Sequence, residues 1–129
     1  MPLSSVPGFV PAAGEAVLAR LTLDLDANLQ FVRGAVLLTT HRLLAHVGEQ
    51  GRWQEWSLQA ELTLRHHDHA GVGTLELHDH AARQAAWRYT LGHNPEALYL
   101  IGQFEKRQAA LAGAEPEQEE LADKDEDEA

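Results

Sequence analysis

The chain of 129 residues contains no cysteine. Disulfide bonds, thiolate catalysis and cysteine-ligated zinc are therefore excluded. No apolar run reaches the ~18 to 20 residues of a membrane helix, and residues 1–13 carry no lysine or arginine ahead of their apolar side chains, so a secretory signal is not expected. A glycine-rich phosphate loop is also missing. These absences favour a cytoplasmic protein without nucleotide hydrolysis of its own.

Positive charge is scarce, with 10 lysines and arginines against 20 acidic residues and a formal net charge of −10. Nine of the acids and one base lie in residues 115–129, which leaves a net charge of −2 for residues 1–114. Such a chain is not expected to bind nucleic acid or an anionic membrane surface. Phosphoinositide binding is not expected either, because residues 24–28, the loop where basic side chains would be needed, carry Asp24 and Asp26.

Residues 15–26 alternate apolar and polar side chains with a period of two, which predicts a strand with one solvated face. Gly34 is predicted to break or bulge the next segment, and Ala70–Gly73 to form a hairpin turn in which both glycines take positive φ. The further predicted strands are Leu29–Arg33, Ala35–Leu38, Arg42–Val47, Trp53–Ser57, Ala60–His67, Thr74–His78 and Arg83–Leu91.

The period then changes to that of a helix. Asn94, Pro95 and Glu96 are typical of a helix start, and an apolar stripe follows at Ala97, Leu100, Ile101, Phe104 and Leu111. About seven short strands followed by one amphipathic helix predict a mainly β fold, an antiparallel barrel of the pleckstrin-homology type capped by the helix. We expect residues 1–13 to be an irregular leader, 14–113 the domain, and 114–129 a disordered acidic tail or linker.

Three stretches resemble a known family. Residues 34–44 (GAVLLTTHRLL) resemble bacterial pleckstrin-homology and GRAM-like domains. Together with residues 64–77 (LRHHDHAGVGTLEL) and 87–98 (WRYTLGHNPEAL), they are similar to the N-terminal soluble domain of a bacterial ABC transporter family associated with cyanophycin metabolism. The resemblance covers roughly residues 14–113.

The resemblance implies a non-enzymatic regulatory or docking domain that precedes a membrane domain and an ATPase domain. The expected partner is a protein, or the remainder of such a transporter, contacted through a sheet edge or an aromatic surface. A homo-oligomer formed through a sheet edge is a further expectation. No cofactor and no catalytic residue are expected, since none of the three serines, Ser4, Ser5 and Ser57, lies in a glycine-flanked elbow.

The histidines suggest an alternative function, a sensor that binds a small ligand or a metal ion. His66, His67, Asp68 and His69 lie together in the predicted hairpin, and imidazole and carboxylate groups are ligands for zinc, copper or nickel. His67 and His69 share a strand face and are the better pair. His78 is predicted to lie opposite about residue 65, too far from His69 for one compact site. A polar outer hairpin face without metal is the competing interpretation.

Two tryptophans are candidate partner-binding residues. Trp53 and Trp56 are three residues apart, so a straight strand places them on opposite faces. One is predicted to enter the core, and the other would be free to anchor a partner at the surface.

Overall fold

The computed structural model of the chain describes residues 9–48, 52–80 and 82–113. It contains seven strands and one long helix, preceded by a short 3-10 turn at Leu91–His93. The strands are β1 (Val17–Leu25), β2 (Phe31–Thr39), β3 (Arg42–Val47), β4 (Gln54–Ser57), β5 (Thr63–His69), β6 (Val72–His78) and β7 (Arg83–Thr90), and the helix is α1 (Asn94–Gly113). The predicted mainly β fold with one C-terminal helix is confirmed. The predicted tail lies outside the described residues.

All strands belong to one antiparallel sheet with the order β4-β3-β2-β1-β7-β6-β5. The alternation in the sequence produces this sheet because every second side chain of β1 is buried, as in Leu21, Leu23 and Leu25. Trp87 and Tyr89 on β7 face the same core, as their shared parity predicts. The sheet folds back on itself at β1, which pairs with β7 only through Leu25 and Arg88.

The sheet does not close into a full barrel, because its two end strands, β4 and β5, do not pair with each other. A helix side chain takes the place of strand pairing at this opening. Gln108 of α1 donates from Nε2 to the backbone oxygens of Gln59, at 2.7 Å, and Leu62, at 2.8 Å. The segment between β4 and β5 therefore bonds to the helix, and no strand of the described residues pairs with the outer side of β5.

Gly34 does not break a strand, so the two short strands predicted on either side of it form one continuous strand, β2. The residue is buried in the middle of β2 and pairs with Val47. A Cβ atom at this position would lie 2.5 Å from the backbone oxygen of His46. Glycine is therefore required by the close approach of β3. The predicted bulge is confirmed by the β1–β2 pairing, whose register shifts between Gly34 and Phe31.

The helix α1 packs its predicted stripe onto the sheet. Ala97, Leu100 and Phe104 are fully buried, whereas Leu111 at the end of the stripe is 37% exposed. In its C-terminal half, α1 is also held by Arg107, whose Nε donates to the backbone oxygen of Thr40 at 3.0 Å. In the described part of the chain, no helix combines the length and the apolar character needed to cross a membrane.

The β5–β6 hairpin turns at Ala70 and Gly71, one residue earlier than the centre of the predicted turn. His69 pairs with Val72, and both turn residues have positive φ, 54° and 85°. This is the geometry of a two-residue type I′ turn. The prediction for Gly73 is wrong, because that glycine lies in β6 and is buried against the ring of Tyr89.

Replacing Ala70 with asparagine is expected to stabilise the protein. Alanine at a φ of 54° is strained, whereas asparagine tolerates this conformation and Asn-Gly is the preferred type I′ sequence. We expect a gain of about 0.5 to 1 kcal/mol in the free energy of unfolding, measured by urea denaturation. Ala70→Val is the matched control and is expected to lower stability, because a branched side chain disfavours positive φ. A loss of stability in Ala70→Asn would contradict the assigned turn.

Candidate functional site

Three polar clusters lie in the described part of the chain, and the first holds the segment before β1. The carboxylate of Glu15 is buried and receives two bonds of 2.9 Å from Nε and Nη2 of Arg42. The hydroxyl of Thr39 also donates to it. The hydrogen bond from Arg42 is the main reason that the pKa of Glu15 falls to about 2, against the opposing effect of burial. These groups satisfy one another, so this cluster is structural.

The second cluster fastens the start of α1 to β1. Burial opposes ionisation of Asp24, but hydrogen bonds from the hydroxyl and backbone N–H of Thr90 outweigh it and hold the pKa of Asp24 below its ordinary value. Glu96 accepts from the backbone N–H of Thr22 at 2.7 Å. His93 lies 3.5 Å from a carboxylate oxygen of both acids. These bonds replace strand pairing where β1 and β7 diverge, which again indicates a structural role.

The third cluster covers the outer face of β5, β6 and β7. Buried side chains such as Leu64, Leu75 and Trp87 mark the inner face of these strands, and the alternate positions face outward. The outward positions carry most of the positive charge in this half of the sheet. We call this surface the basic face, defined by Arg65, His67, His69, His78, Arg83 and Arg88.

Glu76 of β6 lies at the centre of the basic face. Among the residues of β5, β6 and β7, it is the only carboxylate with outward parity. Its two oxygens lie 2.8 Å from Nε2 of His78 and 3.2 Å from Nε2 of His67. Arg83 donates from Nη1 at 3.4 Å. The bond to His78, followed by the bond to His67, lowers the pKa of Glu76 to about 2. The ionised carboxylate of Glu76 therefore links His67, His78 and Arg83, side chains from three strands.

Three acids border the basic face. Asp24 of β1 accepts from the hydroxyl of Thr90, which has the outward parity of Arg88 on β7. Asp79, in the β6–β7 turn, accepts from the backbone N–H of Ala82 at 2.9 Å and from the side chain of Gln84 at 2.9 Å. Asp68, near the hairpin tip, has the parity of Leu64 and therefore points to the opposite side of β5. On the basic face itself, three arginines stand against the single carboxylate of Glu76, so the surface attracts anions.

The basic face ends at an open sheet edge. Among the described strands none pairs with the outer side of β5, a strand of seven residues. Such an edge presents backbone N–H and C=O groups to an incoming strand. The position of Arg65 and His67 on β5 places a guanidinium and an imidazole directly beside those groups. The arrangement can bind an extended acidic segment by main-chain bonds and by charge together.

The metal-ligand candidates do not come together as a group. His67 and His69 share a face and both are exposed, while His66 and Asp68 have the opposite parity and pair with Leu75 and Gly73. Among the described residues, no group of three or more histidine and carboxylate side chains is arranged to hold a metal ion. The predicted pairing of His78 with about residue 65 is wrong by two positions, since His78 pairs with Thr63.

The two candidate tryptophans lie on opposite faces of the sheet, as predicted, and both are half-buried. Trp56 packs edge-on against Trp87 in the main core, with ring centroids 5.7 Å apart. Trp53 packs on the other face beside Phe9 and against the ring of His46, at 4.4 Å. Each tryptophan therefore has an aromatic partner within the chain, and Phe9 shows that the described end of the predicted leader packs onto the sheet.

Sequence reasoning missed Glu76, Arg83 and Arg88 as members of one surface. Glu76 and Arg83 are seven residues apart in the chain, and the β6–β7 turn brings them together. The sequence signal that could have revealed this surface is the shared outward parity of Arg65, His67 and Glu76, in two strands joined by a short turn. Reading this signal required the position of the β5–β6 turn to be known to within one residue.

Comparisons of the chain with protein-family models, with curated proteins and with solved structures give no match.

Proposed function

We propose that this protein is a non-enzymatic docking or regulatory module that binds an acidic, extended segment of a partner protein. The segment adds as a strand to the free edge of β5, and its acidic side chains lie on the basic face. The observation that carries the proposal is the concentration of three arginines and three histidines beside an open seven-residue edge, in a chain with a net charge of −10.

Charge supports an acidic partner over other partners. The cations of the basic face would repel a basic segment, and a neutral segment would gain only the backbone bonds of the edge. Charged residues on an edge strand also discourage indiscriminate strand addition. Arg65, Arg83 and Arg88 therefore favour a partner with acidic side chains, which makes the edge selective.

The resemblance to the soluble domain of cyanophycin-associated ABC transporters suggests what the parent protein does. In this proposal the chain is the cytoplasmic pleckstrin-homology-like part of such a transporter, and the acidic segment belongs to the transporter or to a protein that regulates it. The order of seven antiparallel strands followed by one helix supports the fold part of this assignment. A fold of this kind hosts many functions, so the docking role depends on the surface.

The binding test uses a fluorescein-labelled peptide of alternating glutamate and valine, twelve residues long, added to the full chain. We expect saturable binding at low salt, and amide chemical-shift changes confined to β5, β6 and β7 in ¹⁵N NMR spectra. Arg65→Gln combined with Arg83→Gln is expected to weaken binding about tenfold, because exposed charge pairs contribute up to about 1 kcal/mol each and about 1.4 kcal/mol is tenfold.

The matched control removes two cations elsewhere, Arg52→Gln with Lys106→Gln, both of which are exposed and lie outside the basic face. This double variant is expected to bind the peptide as the wild type does, apart from a small loss from net charge. A peptide of alternating lysine and valine is expected not to bind. Equal weakening by both double variants, or shift changes centred on another face, would overturn the proposed surface.

A further inference from the structure

We infer that the acidic C-terminal segment of this same chain, residues 114–129, occupies the basic face and competes with the partner. This inference rests on the proposed function, since it assigns a second occupant to the same surface. It makes the module self-inhibited: an acidic partner must displace the chain's own segment before it can reach the β5 edge.

Charge complementarity selects this occupant. Residues 115–129 contain nine acids and one base, a net charge of −8, whereas residues 1–114 have a net charge of only −2. The basic face carries three arginines against one carboxylate, Glu76. The strongest anionic segment and this cationic surface belong to the same chain, so their encounter does not depend on protein concentration.

The geometry of the helix end brings the segment within reach. Gln108, on the last turns of α1, bonds to the backbone oxygen of Leu62, the residue directly before β5. Thr63, the first residue of β5, pairs with His78 at one end of the basic face. The sixteen residues that follow Gly113 can span about 50 Å when extended, at roughly 3.3 Å per residue. The seven-residue strand β5 is about 23 Å long, so the segment can cover the whole face.

The test compares the wild type with a full chain in which Asp125→Asn, Glu126→Gln and Asp127→Asn are combined. A tethered segment acts at an effective concentration of the order of 1 mM. With an intrinsic Kd of about 0.25 mM, it raises the apparent Kd of the Glu-Val peptide about fivefold. We therefore expect the triple variant to bind the peptide about three- to fivefold more tightly. The amide shifts of β5–β7 should differ between the two proteins at low salt and converge at ~0.5 M salt, where charges are screened.

The matched control neutralises three acids outside the segment, Glu55→Gln, Glu61→Gln and Glu105→Gln, and is expected to leave the peptide affinity within about a factor of two. Equal gains in the two triple variants would overturn the inference, because net charge alone would then explain them. Peptide affinity unchanged in the tail variant would overturn it while leaving the proposed function intact, whereas failure of the peptide to bind either chain overturns both. Shift differences that grow with protein concentration would assign the face to a second copy and also overturn it.

Discussion

Arg42→Gln is expected to lower the free energy of unfolding by about 3 kcal/mol at pH 7. The substitution removes the guanidinium that holds the buried Glu15 carboxylate through two bonds of 2.9 Å. It also removes the bond of Nη2 to the backbone oxygen of Val10, at 3.0 Å. Breaking one side of a buried ion pair typically costs about 3 to 5 kcal/mol, because the remaining charge is left without compensation. Urea denaturation at pH 7 measures the loss.

The pH dependence of the same variant separates charge from packing. The pKa of Glu15 is about 2 in the folded protein, against an ordinary value of 4.5. A lowered pKa stabilises the fold above pH 4.5, and this contribution disappears as the pH falls toward 2. The free energy of unfolding of the wild type should therefore fall between pH 4.5 and pH 2, and that of Arg42→Gln should fall much less over the same range. Glu55→Gln, which removes a partner of Arg42 that is 61% exposed, is the control and should cost less than about 1 kcal/mol. A parallel pH profile in Arg42→Gln and the wild type would contradict the assignment.

The elements of this fold could be predicted from the sequence because their patterns are local. In β1 and in α1, the spacing of the apolar residues indicates which face is buried. These residues are Leu21, Leu23 and Leu25 in β1, and Ala97, Leu100 and Phe104 in α1. The same reasoning was only partly right at Gly34, where the β1–β2 register shifts as predicted but the strand continues. That glycine is required by the backbone of a neighbouring strand. Local patterns do not reveal which strand approaches which.

Barrel closure and the functional surface could not be predicted because both depend on contacts between distant residues. Whether β4 meets β5 is decided by α1, where Gln108 bonds to backbone oxygens nearly fifty residues away. The basic face depends on register, and the predicted register, wrong by two positions, places His67 instead of Arg65 opposite Glu76. The Glu15–Arg42 pair, 27 residues apart in the chain, has no local pattern at all.

Gly73→Ala is expected to destabilise the protein by about 2 to 3 kcal/mol, the usual cost of forcing extra volume into a packed core. An added Cβ would overlap atoms Cε1 and Cζ of the Tyr89 ring. That ring cannot easily move, since it is fully buried and its hydroxyl donates to Oδ1 of Asn94 at 3.1 Å. Gly102→Ala is the control, because a Cβ at that helical position meets no atom within 4 Å. It should raise stability by about 0.5 to 1 kcal/mol.

The double variant with Tyr89→Leu determines whether overlap is the cause. If the cost of Gly73→Ala arises from the ring, the smaller leucine leaves room for the added methyl group, and the two substitutions together should cost at least about 1 kcal/mol less than the sum of their separate effects. If Gly73 were instead needed for a turn conformation, the double variant would be additive. The pairing of Gly73 with Tyr89 across β6 and β7 therefore predicts that the two effects are coupled. Additive effects would instead support a role of Gly73 in the hairpin turn.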